Sequence, residues 1–108
     1  MRIISGKFKG QKLNIPKNFL IRPTTDRFKE SLFSIINSGK YSSNIDGKYF
    51  LDLCSGSGGI GIEAFSRGAK KVYMIDNNQN AINLINKNLS KIELNIEIVK
   101  NLFVLKQD

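Results

Sequence analysis

The stretch Phe50-Leu51-Asp52-Leu53-Cys54-Ser55-Gly56-Ser57-Gly58-Gly59-Ile60-Gly61 decides the fold. It reads as a short apolar strand that stops at a carboxylate and passes through a glycine-rich turn into a helix. Parallel α/β sheets hold nucleotide-like ligands at such junctions. Gly56 and Gly58 permit a tight turn and close approach of backbone to ligand, and Gly61 lets the helix lie near the strand. Twenty residues beyond Gly56, the apolar run Val72-Tyr73-Met74-Ile75 ends at Asp76. An acid at the tip of a second strand is placed to accept hydrogen bonds from ribose hydroxyls.

Asp52 narrows the ligand. Dinucleotide sites usually carry an apolar residue or glycine at this place, because a carboxylate repels a pyrophosphate. A ligand with positive charge is favoured instead, and S-adenosylmethionine, with its sulfonium and amino groups, is one. A nicotinamide-dependent oxidoreductase is the weaker reading for the same reason. The structural alternative is a glycine-rich turn in which Asp52 serves only as a helix cap.

Working outward, the pattern predicts a first strand over Lys48–Leu53, a helix over Gly59–Arg67, a second strand over Lys71–Ile75, a helix over Asn78–Leu89 and a third strand over Ile96–Lys100. Gly68 stands where a helix-ending glycine belongs, and Ala81, Ile82, Ile85 and Leu89 form a buried stripe. The alternation is that of a parallel doubly wound sheet. Upstream, Met1 to Pro16 alternates as a β-hairpin with Ile3, Ile4, Leu13 and Ile15 as apolar positions and Gly6 and Gly10 around the turn. Pro23 disfavours helical geometry at Arg22. Thr24, Thr25 and Asp26 are candidate caps for a helix running to about Asn37, with Phe28, Leu32, Ile35 and Ile36 on one face. The residues thus divide into an N-terminal extension, 1–40, and a ligand-binding unit, 41–108.

Charge separates the same two parts. The net charge is +8, and residues 1–40 hold nine Lys or Arg against Asp26 and Glu30, leaving +1 for the remainder. A basic segment beside a near-neutral unit suggests a polyanion partner, RNA or DNA, with a solvated basic surface as the alternative. The absence of histidine and the single cysteine argue against a metal site and exclude an internal disulfide. Cys54 reads as a small side chain beside the turn rather than a nucleophile. No apolar run reaches the ~18 residues of a membrane span and no signal-peptide pattern opens the chain, so a cytoplasmic residence without membrane contact is expected.

Three segments together resemble the RsmD-like guanine-N2 methyltransferases of small-subunit (16S) ribosomal RNA. They are Met1 to Leu13, Arg22-Pro23-Thr24-Thr25-Asp26-Arg27-Phe28-Lys29-Glu30-Ser31-Leu32-Phe33, and Asp52 to Ala64 running into Ser66-Arg67-Gly68-Ala69. The resemblance implies an α/β class I methyltransferase with a Rossmann-like parallel sheet and an N-terminal hairpin and helix extension. It implies S-adenosylmethionine across the ends of the first two strands, at Asp52, Ser55, Gly56, Ser57, Gly58, Gly61 and Asp76. Asn101 falls where such enzymes read the adenine amino group, although the family more often carries Asp there. Arg2, Lys7, Lys9, Lys12, Arg22, Thr24, Thr25 and Arg27 are the implied contacts to ribosomal RNA or the small ribosomal subunit. The family transfers its methyl group with an Asn/Asp-Pro-Pro-Phe/Tyr motif after a fourth strand, and this chain has only Pro16 and Pro23. The expectation is therefore an N-terminal portion with strands one to three, no catalytic residue of its own, and the C-terminal half of the sheet absent. A bare edge on the first strand would favour self-association. The alternative is a non-catalytic RNA-binding remnant or partner subunit completed by another chain.

Overall fold

The computed structural model describes residues 1–15, 25–38, 44–53, 55–92 and 101–107. Six elements form among them: α1 (Asp26–Ile36), β1 (Tyr49–Leu53), α2 (Gly59–Ser66), β2 (Lys71–Asp76), α3 (Gln79–Ser90) and β3 (Leu102–Lys106). The three strands are parallel in the order β1-β2-β3, with Asp52 level with Met74 and Met74 level with Val104.

Local chemistry explains the boundaries. Thr25 caps α1 by accepting the Phe28 N–H at 3.1 Å, and Asn78 caps α3 by accepting from Asn80 and Ala81. α2 ends in a Schellman motif: the Gly68 N–H donates to the Phe65 carbonyl at 3.1 Å and the Ala69 N–H to the Ala64 carbonyl at 3.0 Å. Gly68 supplies the left-handed residue that this requires, with φ +114°.

α2 and α3 cover the sheet face that carries Val72, Met74 and Leu102, and Ile62, Phe65 and Ile85 complete that core. Each such side chain contributes about 1.5–3 kcal/mol when fully buried. Phe33 of α1 joins it from beyond β1, with its ring 6.1 Å from that of Phe50. The opposite face is bare among the described residues. Tyr49, Leu51 and Leu53 are 62%, 57% and 65% exposed, and Leu105 of β3, two strands away, is exposed on the same face. Only the stacking of Tyr73 on Phe103, at 4.7 Å, shields its centre.

Three expectations change. The third strand forms over Leu102–Lys106, six residues later than Ile96–Lys100, a stretch that lies outside the described residues. Both runs are apolar, but Leu102-Phe103-Val104-Leu105 offers more buriable surface and a ring for Tyr73. The N-terminal hairpin forms but is short: Arg2 faces Lys12, the Ile3 N–H donates to the Gln11 carbonyl and the Leu13 N–H to the Met1 carbonyl, both at 2.9 Å, while Ile15 is exposed. In α1, Phe28 and Ile35 are each 54% exposed, while Lys29 and Phe33 are buried. The 29, 32, 33, 36 face turns inward instead because Lys29 has an ionic partner on α2.

Candidate functional site

The glycine turn folds back onto the tip of β2. The Ser55 N–H donates to the Ile75 carbonyl at 3.0 Å, and the Gly56 N–H donates to Asp76 Oδ2 at 2.9 Å. Gly56 and Gly58 have φ of +58° and +84°, a region costly for any residue with a Cβ. A Cβ on Gly61 would lie 2.6 Å from Met74 Cγ, so its bare backbone sets how closely α2 approaches β2.

Two carboxylates flank this turn. Asp52 is buried, and its Oδ2 accepts the Gly61 N–H at 3.2 Å, so it does cap α2, whose N-cap Gly58 has no side chain to do so. Burial pushes the Asp52 carboxyl above its ordinary range, hydrogen bonds from Ser55 and the Gly61 N–H pull it back, and the charge of Asp76 pushes it up again. Asp76 also accepts the Asn78 N–H at 2.9 Å. Neither carboxylate has a cationic partner: the ion pairs among the described residues are Arg2–Asp26, Lys29–Glu63 and Arg67–Glu63. An ionised carboxylate has about four acceptor positions, so both retain capacity for a ligand. Their uncompensated negative charge fits a ligand with cationic groups, such as S-adenosylmethionine, and opposes a pyrophosphate.

The other predicted residues fall elsewhere. Ser57 is buried; its hydroxyl donates to Met1 Sδ at 3.6 Å and its carbonyl accepts from Asn88 Nδ2 at 3.0 Å, so its polar atoms meet the N-terminal segment and α3. Asn101 precedes β3, and its carbonyl accepts the Val72 N–H at 3.0 Å, at the opposite end of the sheet from Asp76. There it lines a cavity of about 390 Å³ with Lys7, Asp46, Gly68 and Lys70. The later start of β3 is what separates Asn101 from the two carboxylates. Arg2 pairs with Asp26 at 3.3 Å, and Lys7 Nζ sits 4.7 Å from the centre of the Phe65 ring. Lys9, Lys12 and Arg27 are exposed, and Thr25 is the α1 cap. Arg22, Thr24 and Cys54 lie outside the described residues.

Sequence reasoning missed a buried polar seam joining the N-terminal segment to α2 and α3. Glu63 Oε1 accepts the Ile4 N–H at 2.9 Å and faces Lys29 Nζ at 3.5 Å. Its Oε2 accepts the Ser5 N–H at 3.1 Å and the Arg67 Nε–H at 2.8 Å. Lys29 also donates to the Arg2 carbonyl. Burial pushes its ammonium below the ordinary range, opposed by Glu63 and Asp26. Ser66 Oγ donates to the Ser5 carbonyl at 2.7 Å and accepts the Phe8 N–H at 3.0 Å. The available signal was a charged residue on an otherwise apolar face of both α1 and α2.

Strand order, crossover helices and glycine turn are those of class I methyltransferases. A solved structure described as "Putative methyltransferase yhhF from Escherichia coli" matches all of this chain and 52% of its own, with a TM-score of 0.79 at 30% identity. The chain belongs to the family described as Conserved hypothetical protein 95, whose model matches residues 1–106, and it corresponds to the N-terminal portion of an RsmD-like methyltransferase. A Bacillus subtilis protein named "Putative rRNA methyltransferase YlbH" is 46% identical over 87% of this chain and 48% of its own length. The Haemophilus influenzae "Ribosomal RNA small subunit methyltransferase D" is 37% identical over 90% of this chain and 48% of its own. The chain thus spans about half the length of the relatives it matches. No helix among the described residues is long and apolar enough to cross a membrane.

Proposed function

We propose that this chain is the methyl-donor-binding and RNA-facing portion of a methyltransferase that modifies the exocyclic N2 amine of a guanine in small-subunit ribosomal RNA. The observation that carries the donor reading is the pair of carboxylates, Asp52 and Asp76, without a cationic partner among the described residues, at the tips of adjacent parallel strands beside a positive-φ glycine turn. Asp52 would face the cationic end of S-adenosylmethionine and Asp76 its ribose, with the backbone of Ser55 to Gly58 against the methionine part. When bound, that sulfonium supplies an electrophilic methyl group. The residues of this chain bind and orient the donor. The exposed cations Lys7, Lys9, Lys12 and Arg27 hold RNA phosphates through salt-sensitive contacts.

Nothing in these 108 residues matches the Asn/Asp-Pro-Pro-Phe/Tyr motif that would align the guanine amine, and such alignment supplies up to ~7–11 kcal/mol in favourable cases. The polypeptide alone is therefore expected to bind donor weakly and to transfer little or no methyl. Calorimetry with S-adenosylmethionine and, separately, with NAD tests the ligand class. Binding of the first, lost in Asp76→Ala, is expected; preference for NAD would overturn the reading.

A second reading is a non-catalytic RNA-binding subunit whose sheet is completed by another chain. Among the described residues, the apolar face left bare and the edge of β1 left without a strand partner favour it. Salt-dependent RNA binding with no affinity for S-adenosylmethionine would select it.

A further inference from the structure

Asn88 is a fully buried amide in the otherwise apolar stripe of α3 formed by Ala81, Ile82, Ile85 and Leu89. An amide in that setting costs stability unless its hydrogen-bonding groups are matched. Here they are matched to two distant parts of the chain. Its Oδ1 accepts the Asn14 N–H at 2.6 Å, and its Nδ2 donates to the Asn14 carbonyl at 3.3 Å and to the Ser57 carbonyl at 3.0 Å. One side chain therefore imitates a strand partner for the end of the N-terminal segment and holds the middle of the glycine turn.

The start of that segment reaches the same residue. Met1 Sδ accepts the Ser57 hydroxyl, and Met1 and Leu13 are joined by a backbone hydrogen bond of 2.9 Å. Both ends of the segment thus converge on Ser57, while Asp76 and Ile75 hold the other flank of the turn. Between those ends lie the exposed Lys7, Lys9 and Lys12.

We propose that Asn88 is a positioning residue through which the N-terminal segment sets the geometry of the glycine turn, so that RNA gripping the segment's lysines is felt at the donor loop. The proposal rests on the donor and RNA reading above. Displacing the segment moves the Asn14 main chain, and Asn88 transmits that shift to the Ser57 carbonyl. Linkage then requires RNA and donor to alter each other's affinity equally, typically by about 5–150-fold in coupled systems.

The test is a titration of the isotope-labelled chain with a short single-stranded RNA oligonucleotide, following the amide resonances of Lys7, Lys9, Gly56 and Gly58. In the wild-type protein, the glycine amides are expected to move with the same midpoint as the lysine amides. Asn88→Asp keeps the size and the acceptor for Asn14, but sets a carboxylate against two carbonyls. It should preserve the lysine response and abolish most of the glycine response. The Val72 amide reports whether the variant keeps the fold; if it does not, Asn88→Ser, which also removes the bonds to Asn14 and Ser57 but sets no charge against their carbonyls, takes its place with the same expected loss. Lysine amides that respond while the glycines stay silent, or no response to RNA at all, overturn the proposal. So does a variant whose lysine and glycine responses fall together, since that marks a purely structural role. Failure of S-adenosylmethionine to bind in separate calorimetry counts against the donor reading and leaves the amide result standing.

Discussion

Replacing Asp52 by Asn should weaken donor binding and stabilise the fold. Asn keeps an oxygen for the Gly61 N–H, now 3.2 Å from Asp52 Oδ2, and removes a buried charge that faces Asp76 with no cation beside it. On the binding side, a hydrogen bond to a charged group contributes about 1.5–3 kcal/mol. Its loss weakens affinity about 10–150-fold. On the stability side, the opposing term is the attraction of a carboxylate to the N-terminus of α2, about 0.3–1 kcal/mol. The bond from the Gly61 N–H already lowers the carboxyl, and burial still dominates it. Net stabilisation of about 1 kcal/mol is in the range of replacements that relax a functional site, and it corresponds to a rise in Tm of about 4 °C for a chain of this size. The pH dependence follows from the same sign. A carboxyl held above its ordinary 3.8 gives stability that is full below that value and is lost as pH rises through the folded-state titration. The difference in Tm between variant and wild type should therefore be small near pH 4 and grow toward neutrality. Thermal melts across that range, with calorimetry against S-adenosylmethionine, measure both halves. A variant less stable than wild type at neutral pH, or one that binds donor equally well, refutes the reasoning.

Glu63→Gln leaves the buried ammonium of Lys29 without its counter-charge, and breaking such a pair costs about 3–5 kcal/mol; at the lower figure, thermal denaturation should show Tm falling by about 12 °C. Gly6→Ala places a Cβ 1.9 Å from the Ser66 carbonyl oxygen at φ +93°. It should speed hydrogen exchange at Lys7 and Phe8 while leaving Val72 protected, and unchanged protection at the first two would contradict the docking described. Leu51→Lys puts a charge on the β1 side of the bare sheet face, where Leu51 is 57% exposed. Sedimentation should show concentration-dependent association in wild type and its loss in the variant, whereas a monodisperse wild-type monomer would remove the face as an adhesive surface.

What could be read from the sequence was what local rules control. The turn after Asp52, the cap at Thr25 and the glycine ending α2 depend on a few neighbouring residues, and α3 shows its apolar stripe directly. The third strand was harder, because Ile96–Lys100 and Leu102–Lys106 both present apolar runs. Choosing between them requires the register against Tyr73, which is a tertiary quantity. The inward face of α1 was misread because a lysine counts as polar in any periodicity, and only Glu63, thirty-four residues on, makes Lys29 buriable. Asn88 was invisible for the same reason: its partners, Asn14 and Ser57, lie 74 and 31 residues away.

The anchoring of the N-terminal segment also has a temporal side. Ile4 and Ser5 bond to a carboxylate made 59 and 58 residues later. At about 5–20 residues per second of synthesis, the segment waits roughly 3–12 s after it is made for Glu63 to appear. During that interval its lysines belong to an unfolded polycation emerging from a ribosome, itself a body of RNA. The cations acquire a fixed arrangement only when α2 is complete, so docking of the segment is a late, high-separation event in folding. Any polyanion that captures the segment earlier competes with Glu63, which makes the order of synthesis part of how this fold is reached.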